Sequence, residues 1–328
     1  GAFDIKVYSV QGETICEGVK FLMATTSVTP NATPEVQASQ GKTPSTWERM
    51  KEYRWSYLFI APYMLIFIVF TVIPVIWAMF LSLTYYNMIQ PPVWVGFENY
   101  IRLFTDDQLF YLAVKNTFYF SIVTGPLGYV LSLILAWLIN EVRYRKLFTL
   151  IYYIPSITSG VAMAVIWMYL YNGSKYGLLN YLLLKWGIIE EPVLWLKNVK
   201  TTLPAIMVTS IWMSMGTSFL VFIAALQGVP HELYEAARID GATRWQEFWH
   251  ITLPMIRPAL LFGAVMAVVN SFQVFDLTMV MAGFPSTLYC AHTIVGHLYD
   301  YAFLRFEMGY ASAIAIVLFL MTYIISSV

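Results

Sequence analysis

The sequence predicts an all-α integral membrane protein of about six spanning helices, with a polar two-helix loop between the fourth and the fifth. Three observations carry that reading. Of 328 residues, 59% are hydrophobic and only 12% are charged, against about 25% charged in a soluble domain. The apolar residues gather into stretches that each supply the about 20 residues needed to cross ~30 Å of hydrocarbon. A single helix-forming polar island, residues 227–257, interrupts the later half. Zero formal net charge argues against nucleic acid as a partner. Cys16 and Cys290, with four scattered histidines, make neither a disulfide framework nor a metal site.

In chain order, residues 1–52 read as a leader and flexible segment, and residues 53–328 as the membrane domain. Gly1–Val28 has neither the basic start nor the sustained apolar centre of a secretory signal. Thr29–Ser45 is rich in Thr, Pro, Ala and Ser, as a tether is. Span one is expected over 57–83, with Pro74 as a kink. Span two is expected over 113–139, including Gly125, Pro126 and Gly128. Span three, 148–171, carries Pro155, Ser156, Thr158, Ser159 and Gly160. Those residues would either loosen the helix, since proline frees a carbonyl, or let helices pack closely, and close packing is preferred. Span four covers 203–226, span five 258–281, and span six 309–328, which runs to the last residue of the sequence.

Orientation follows from the basic residues. With the N-terminus inside, Lys42, Arg49, Lys51, Arg54, Arg143, Arg145, Lys146, Arg238, Arg244 and Arg257 flank the inner ends. Arg102, Lys175, Lys185, Lys197, Lys200 and Arg305 are spread over much longer outer loops. The bias places the N-terminus and the polar island in the cytoplasm.

Polar side chains inside a span are costly and tend to face a bundle interior or a cavity. Span five holds Asn270, Ser271, Gln273 and Asp276 beside Phe272; span four adds Trp212, Ser214, Thr217 and Ser218. Asn270 lies ~18 Å along the helix from Pro258, near mid-membrane. Asn270 and Gln273, three apart, are expected to share a face. Amides match sugar hydroxyls, and Phe272 and Phe275 offer stacking faces. The alternative is that these groups bond helix to helix.

The island itself has helix signals. Pro230 suits a first helical turn, and Glu232 and Glu235 suit its positive end. Gly241 suits a left-handed stop. Thr243 and Gln246 have capping-box spacing. Ala236 and Ala237 leave a smooth spot that a partner surface can approach.

The pattern Glu235-Ala236-Ala237, three residues, Gly241, nine residues, Ile251-x-Leu253-Pro254 resembles the cytoplasmic loop of permease subunits in binding-protein-dependent ABC importers. The words Leu226–Pro230 and Leu233–Ala242 look like the carbohydrate, maltose-type branch of that family. The resemblance covers roughly Tyr53 to the end. It implies a pore subunit carrying sugar or oligosaccharide by alternating access in a bacterial inner membrane. It also implies partners: a second permease in a heterodimer, two ATPase subunits, a periplasmic or lipid-anchored solute-binding protein, and membrane lipid. ATP and Mg would be bound by the ATPase subunits, with no cofactor on this chain.

Coupling to the ATPase would fall on Glu232, Glu235, Ala236, Ala237, Arg238, Asp240, Gly241, Leu253 and Pro254. Spans four and five would contribute the sugar site. Ser271 and Val274 depart from the asparagine-rich version of that site, so substrate identity does not transfer. The chain carries no phosphate-cradling loop of its own. A non-sugar solute for the same kind of permease, or an intramembrane lipid-modifying enzyme, are the alternatives. The enzyme would need an acid–base cluster, which the sequence lacks.

Overall fold

The structure is a computed structural model that describes residues 53–327; the expectations for residues 1–52 fall outside the described residues. The chain divides into two units, Gly1–Pro62 and Tyr63–Val328.

Among the described residues, five helices are long and apolar enough to cross a membrane, and one bent pair makes a sixth. The first span runs Arg54–Leu81 as α1 (Arg54–Phe67), a π turn (Ile68–Val72) and α2 (Ile73–Leu81). The kink expected at Pro74 takes the form of that π turn. Widening the preceding turn makes room for a proline ring that would otherwise meet the carbonyl four residues back. A short antiparallel pair, β1 (Thr84–Tyr85) with β2 (Val93–Trp94), and α3 (Glu98–Thr105) follow at the far end. Asn99, buried, ties them down by donating to the carbonyls of Ser82 and Thr84, both at 2.9 Å.

The second span, α4 (Gln108–Asn140), is continuous through Pro126. It is the centre of the bundle, because its small residues allow close approach. A Cβ at Gly128 would sit 2.6 Å from the Ser214 hydroxyl, so the glycine lets the fourth span come close without displacing that side chain. The third span is not one helix. α5 (Arg145–Ile157) and α6 (Gly160–Leu170) meet at 98°. Close packing by the small residues was the preferred expectation, and it holds at Ser156, where a Cβ on Gly216 of the fourth span would stand 2.5 Å from the hydroxyl, but the backbone also breaks. Thr158 and Ser159 are extended, with ψ near 141° and 132°, so the helical ladder ends at Ile157.

Beyond it, α7 (Leu178–Lys185) is organised by buried Asn180. Its amide nitrogen donates to the Val193 carbonyl at 3.0 Å, and its oxygen accepts the Trp195 indole N–H at 2.8 Å. The fourth span is α8 (Thr202–Gln227). The polar island forms α9 (His231–Ile239), α10 (Arg244–Glu247), a π turn (Phe248–Thr252) and the short α11 (Leu253–Met255).

The fifth span is also interrupted. α12 (Arg257–Phe272) stops at Gln273, and α13 (Asp276–Ala282) completes the crossing. α14 (Ile294–Tyr299) and α15 (Met308–Ser327), the sixth span, end the described chain.

At the far end a buried junction ties α4, α14 and α15 together. Asp107 caps α4 by accepting the Phe110 amide and also accepts the Tyr310 hydroxyl at 2.7 Å. The His297 ring lies 2.9 Å from the same carboxylate, and His292 lies 3.0 Å from the other His297 nitrogen. Apolar packing closes around it through Leu103, Phe110, Ile294 and Ile314. Burial pushes His292 down to about 4, helped by the neighbouring His297 charge; burial also lowers His297 against the pull of Asp107.

Candidate functional site

The polar island is a rigid knob. α9 begins after Pro230, which is the cap residue rather than the first helical one. It ends on Asp240 and Gly241, whose φ is +78°. The Ala242 amide reaches back to the Ala237 carbonyl at 2.9 Å and the Gly241 amide to Arg238 at 3.1 Å, the bond pattern of a left-handed helix stop. Thr243 and Gln246 form the expected capping box at the head of α10.

Arg238 then crosses from α9 to donate to Glu247, buried on α10, at 2.9 Å. That hydrogen bond and the adjacent negative charge raise the guanidinium pKa further above its ordinary value. The Tyr234 and Thr252 hydroxyls meet at 2.9 Å, a second clasp between the arms.

The knob is seated on α4. Phe248, 6% exposed, packs at a tilt against Trp137 with ring centroids 4.8 Å apart, and Arg244 pairs with Glu141 at the end of α4. What faces outward is Glu232, Leu233, Glu235, Ala236 and Ile239, with Ile239 87% exposed. Leu253 is half-buried, and Pro254 stands at the second position of α11, where its missing N–H leaves no gap. The sequence-predicted coupling residues therefore divide. Glu232, Glu235 and Ala236 form the outer face, while Arg238, Gly241, Leu253 and Pro254 build the knob. Ala237 and Asp240 line a shallow cavity of about 290 Å³ between the arms.

The intramembrane set is only partly brought together. Asn270, Ser271 and Ser214 converge with Thr124, Tyr129, Ser210 and Ser218 on a polar cavity of about 100 Å³ between α4, α8 and α12. Ligand pockets run to about 300–1,000 Å³, so this space is a constriction rather than an open site. Ser210 and the α4 hydroxyls were missed by sequence reasoning, although Ser210, Ser214 and Ser218 recur at the four-residue spacing of one helix face.

Gln273 does not share a face with Asn270. The helix ends at Phe272, so Gln273 turns into a different groove, of about 350 Å³, against α15. Phe272 is no stacking platform either: it is 4% exposed and meets Phe118 edge-on at 5.3 Å. Phe275 is half-buried, 5.0 Å from the Tyr299 ring. Trp212 is partly exposed and packs edge-on against Trp167. Thr217 lies on α8, with its side chain outside the described part. Asp276 is exposed at the start of α13, 3.8 Å from where a Cβ on Gly160 would stand.

A wider cavity of about 700 Å³ opens at the far end between Tyr171, Trp195, Lys197 and Met281.

Residues 128–328 match the sequence profile of the binding-protein-dependent transport system inner membrane component family. The chain belongs to this family. It is a transport permease of the inner membrane, and its knob is the loop typical of that family. The permease is 34% identical over 79% of its length to a probable ABC transporter permease, YesP, of Bacillus subtilis, covering 84% of that protein. It is 34% identical over 82% of its length to the arabinooligosaccharides transport permease AraP of the same species, covering 85% of it. It is also 31% identical over 82% of its length to the lactose transport permease LacF of Rhizobium radiobacter, covering 91% of it. Its fold matches a chain of a bacterial ABC transporter that imports the acidic polysaccharide alginate. That match has a TM-score of 0.73 and 28% identity, covering 85% of this permease and 95% of that chain.

Proposed function

We propose that this permease is one of two pore-forming subunits of an importer for sugars or oligosaccharides. Relatives named for arabinooligosaccharides and lactose support the saccharide class. Two ATPase subunits drive it, and they rather than this chain bind ATP and Mg. A solute-binding protein delivers the saccharide at the far end; the solved complex of the alginate transporter with its saccharide-bound periplasmic protein supports that arrangement. The N-terminus and the knob lie in the cytoplasm, a placement supported by the basic residues at that end of the spans.

The observation that carries the proposal is the knob's construction. Its inner face is fixed to α4 by Phe248 and Arg244, while its outer face presents Glu235, Ala236 and Ile239 exposed. A rigid lever that ends in a smooth patch transmits a push. ATP-driven closure of the ATPase pair moves the knob, and α4 and α8 move with it. The polar constriction between α4, α8 and α12 then opens to one side or the other. Asn270, Ser271 and Ser214 supply hydrogen-bonding groups along that route, where only polar side chains can replace water around a sugar.

The test is co-purification of the ATPase subunit and saccharide uptake in Ala236→Trp and Glu235→Lys complexes. Both variants are expected to lose the ATPase and uptake while the membrane domain stays folded. Full ATPase binding and full uptake in both would make the knob an ordinary surface hairpin.

A further inference from the structure

The cavity of about 700 Å³ at the far end is bounded by the close of α13 and by the segments on either side of α7. Those segments lead into the end of α8 opposite the knob. Ligand pockets run to about 300–1,000 Å³ and are largely apolar, with a few placed polar groups. This cavity has that size and that lining. Trp195 and Met281 form apolar wall, while Asn172, Lys197 and Thr287 bring an amide, an ammonium and a hydroxyl.

Its walls are fixed in advance by one buried side chain. The Asn180 amide nitrogen donates to the carbonyls of Asn172 and Ser174, both at 3.3 Å, on one side, and to Val193 at 3.0 Å on the other. Its oxygen accepts the Val193 amide at 3.2 Å and the Trp195 indole N–H at 2.8 Å. Gly177 has no Cβ to collide with the Asn172 carbonyl, and the Thr201 hydroxyl ties down the Trp195 carbonyl at 3.0 Å. A cavity held this way does not have to be ordered by its ligand, which removes part of the cost of binding.

The charge around it is one-sided. No carboxylate lines the cavity, whereas Lys197 does, and Lys175 directly follows Ser174 of the wall. Neither lysine makes an ion pair among the described residues. Glu190 and Glu191 belong to the same stretch of chain but lie outside the lining. An ammonium has three donors and no acceptor, and its bonds to anionic oxygen are about twice as strong as neutral ones.

We infer that this cavity is an outer receiving subsite for saccharides that carry a carboxylate, with Lys197 recognising the charge and Asn180 positioning the walls. This rests on the saccharide reading above and on the cytoplasmic knob, which together put the cavity on the side where the solute arrives. The Asn172 amide and the Thr287 hydroxyl suit ring hydroxyls, and the apolar wall suits the C–H face of a sugar ring. Lys197 then separates uronate chains from neutral ones, because only the former bring an acceptor of opposite charge.

The experiment uses the complex of permease and ATPase subunits in phosphatidylcholine nanodiscs. Binding of a galacturonate trisaccharide and of a neutral galactose trisaccharide is measured in wild type, Lys197→Gln and Lys197→Arg; in parallel, uptake of both is followed in proteoliposomes with the binding protein added. The wild type is expected to bind the uronate more tightly. Lys197→Gln is expected to weaken uronate binding by about tenfold, as loss of a charge-assisted bond does, and to leave neutral binding within about twofold; Lys197→Arg should retain most of the uronate affinity. A wild type that binds neither trisaccharide, or both equally, overturns the inference. So does unchanged uronate binding in Lys197→Gln, including the case where that variant weakens only the docking of the binding protein. In each of these cases uptake of either trisaccharide leaves the saccharide function standing, whereas uptake of neither counts against the function itself. Should Lys197→Gln fail to assemble, the wild-type preference decides alone.

Discussion

Gly241 offers a clean perturbation of the coupling knob. Its φ is +78°, and no atom lies within 4 Å of where a Cβ would stand. A substitution there therefore meets strain without collision, so the cost can be estimated from backbone preference alone. An L-residue in the left-handed region loses about 1–2 kcal/mol relative to glycine. Asparagine is tolerated better, and a β-branched side chain worse. The bonds at stake are Ala242 N–H to Ala237 and Gly241 N–H to Arg238, which aim α10 back under α9. Gly241→Ala should raise the population of locally open loop by about five- to thirtyfold. Gly241→Asn should fall below that range and Gly241→Val above it. Hydrogen exchange of the amides of 237–247 in the assembled complex reads this directly, and ATPase co-purification should fall in the same order. Equal protection in the glycine, alanine and valine proteins would refute the reasoning, because it would mean the positive φ is not what holds the turn.

Three further expectations follow from the geometry. Phe248→Ala should loosen the seat of the knob on α4 by about 3–5 kcal/mol, the usual loss for a buried aromatic, seen as faster proteolysis within 231–252; unchanged cleavage would show that Trp137 and Phe248 do not anchor it. Asn270→Ala should lower saccharide uptake severalfold, in keeping with a hydrogen bond of about 0.5–1.5 kcal/mol, whereas Gln273→Ala should stay within about twofold because Gln273 faces a different groove; the reverse ranking would discard the proposed route. The far-end junction should weaken on acidification: with His292 at about 4 when folded against an ordinary 6.5, the unfolded segment takes up the proton first, so stability is complete above about 6.5 and declines as pH falls toward 4, by on the order of 3 kcal/mol at most. Exchange of the Ile294 amide, held by Thr117 at 3.0 Å, should accelerate across that window, and a pH-flat rate would exclude the effect.

The fold class and the knob were legible in the sequence because both rest on local physics. The length of an apolar run decides whether a helix crosses a bilayer, and no distant residue changes that. The capping box at Thr243, the stop at Gly241 and the position of Pro254 depend on atoms within a few residues, and all three stand where local rules place them.

What the sequence left open is decided by packing. Pro155 and Gly160 are compatible with a gentle bend or a sharp one, and the 98° break depends on what α6 meets, namely α13 with its Asp276. Periodicity alone makes Asn270 and Gln273 neighbours on one face. The helix instead stops at Phe272, which is buried against Phe118 of α4, and Gln273 turns into a different groove. Helical phase carries sequence information only as far as the helix continues, and where it ends is set by the neighbouring helices.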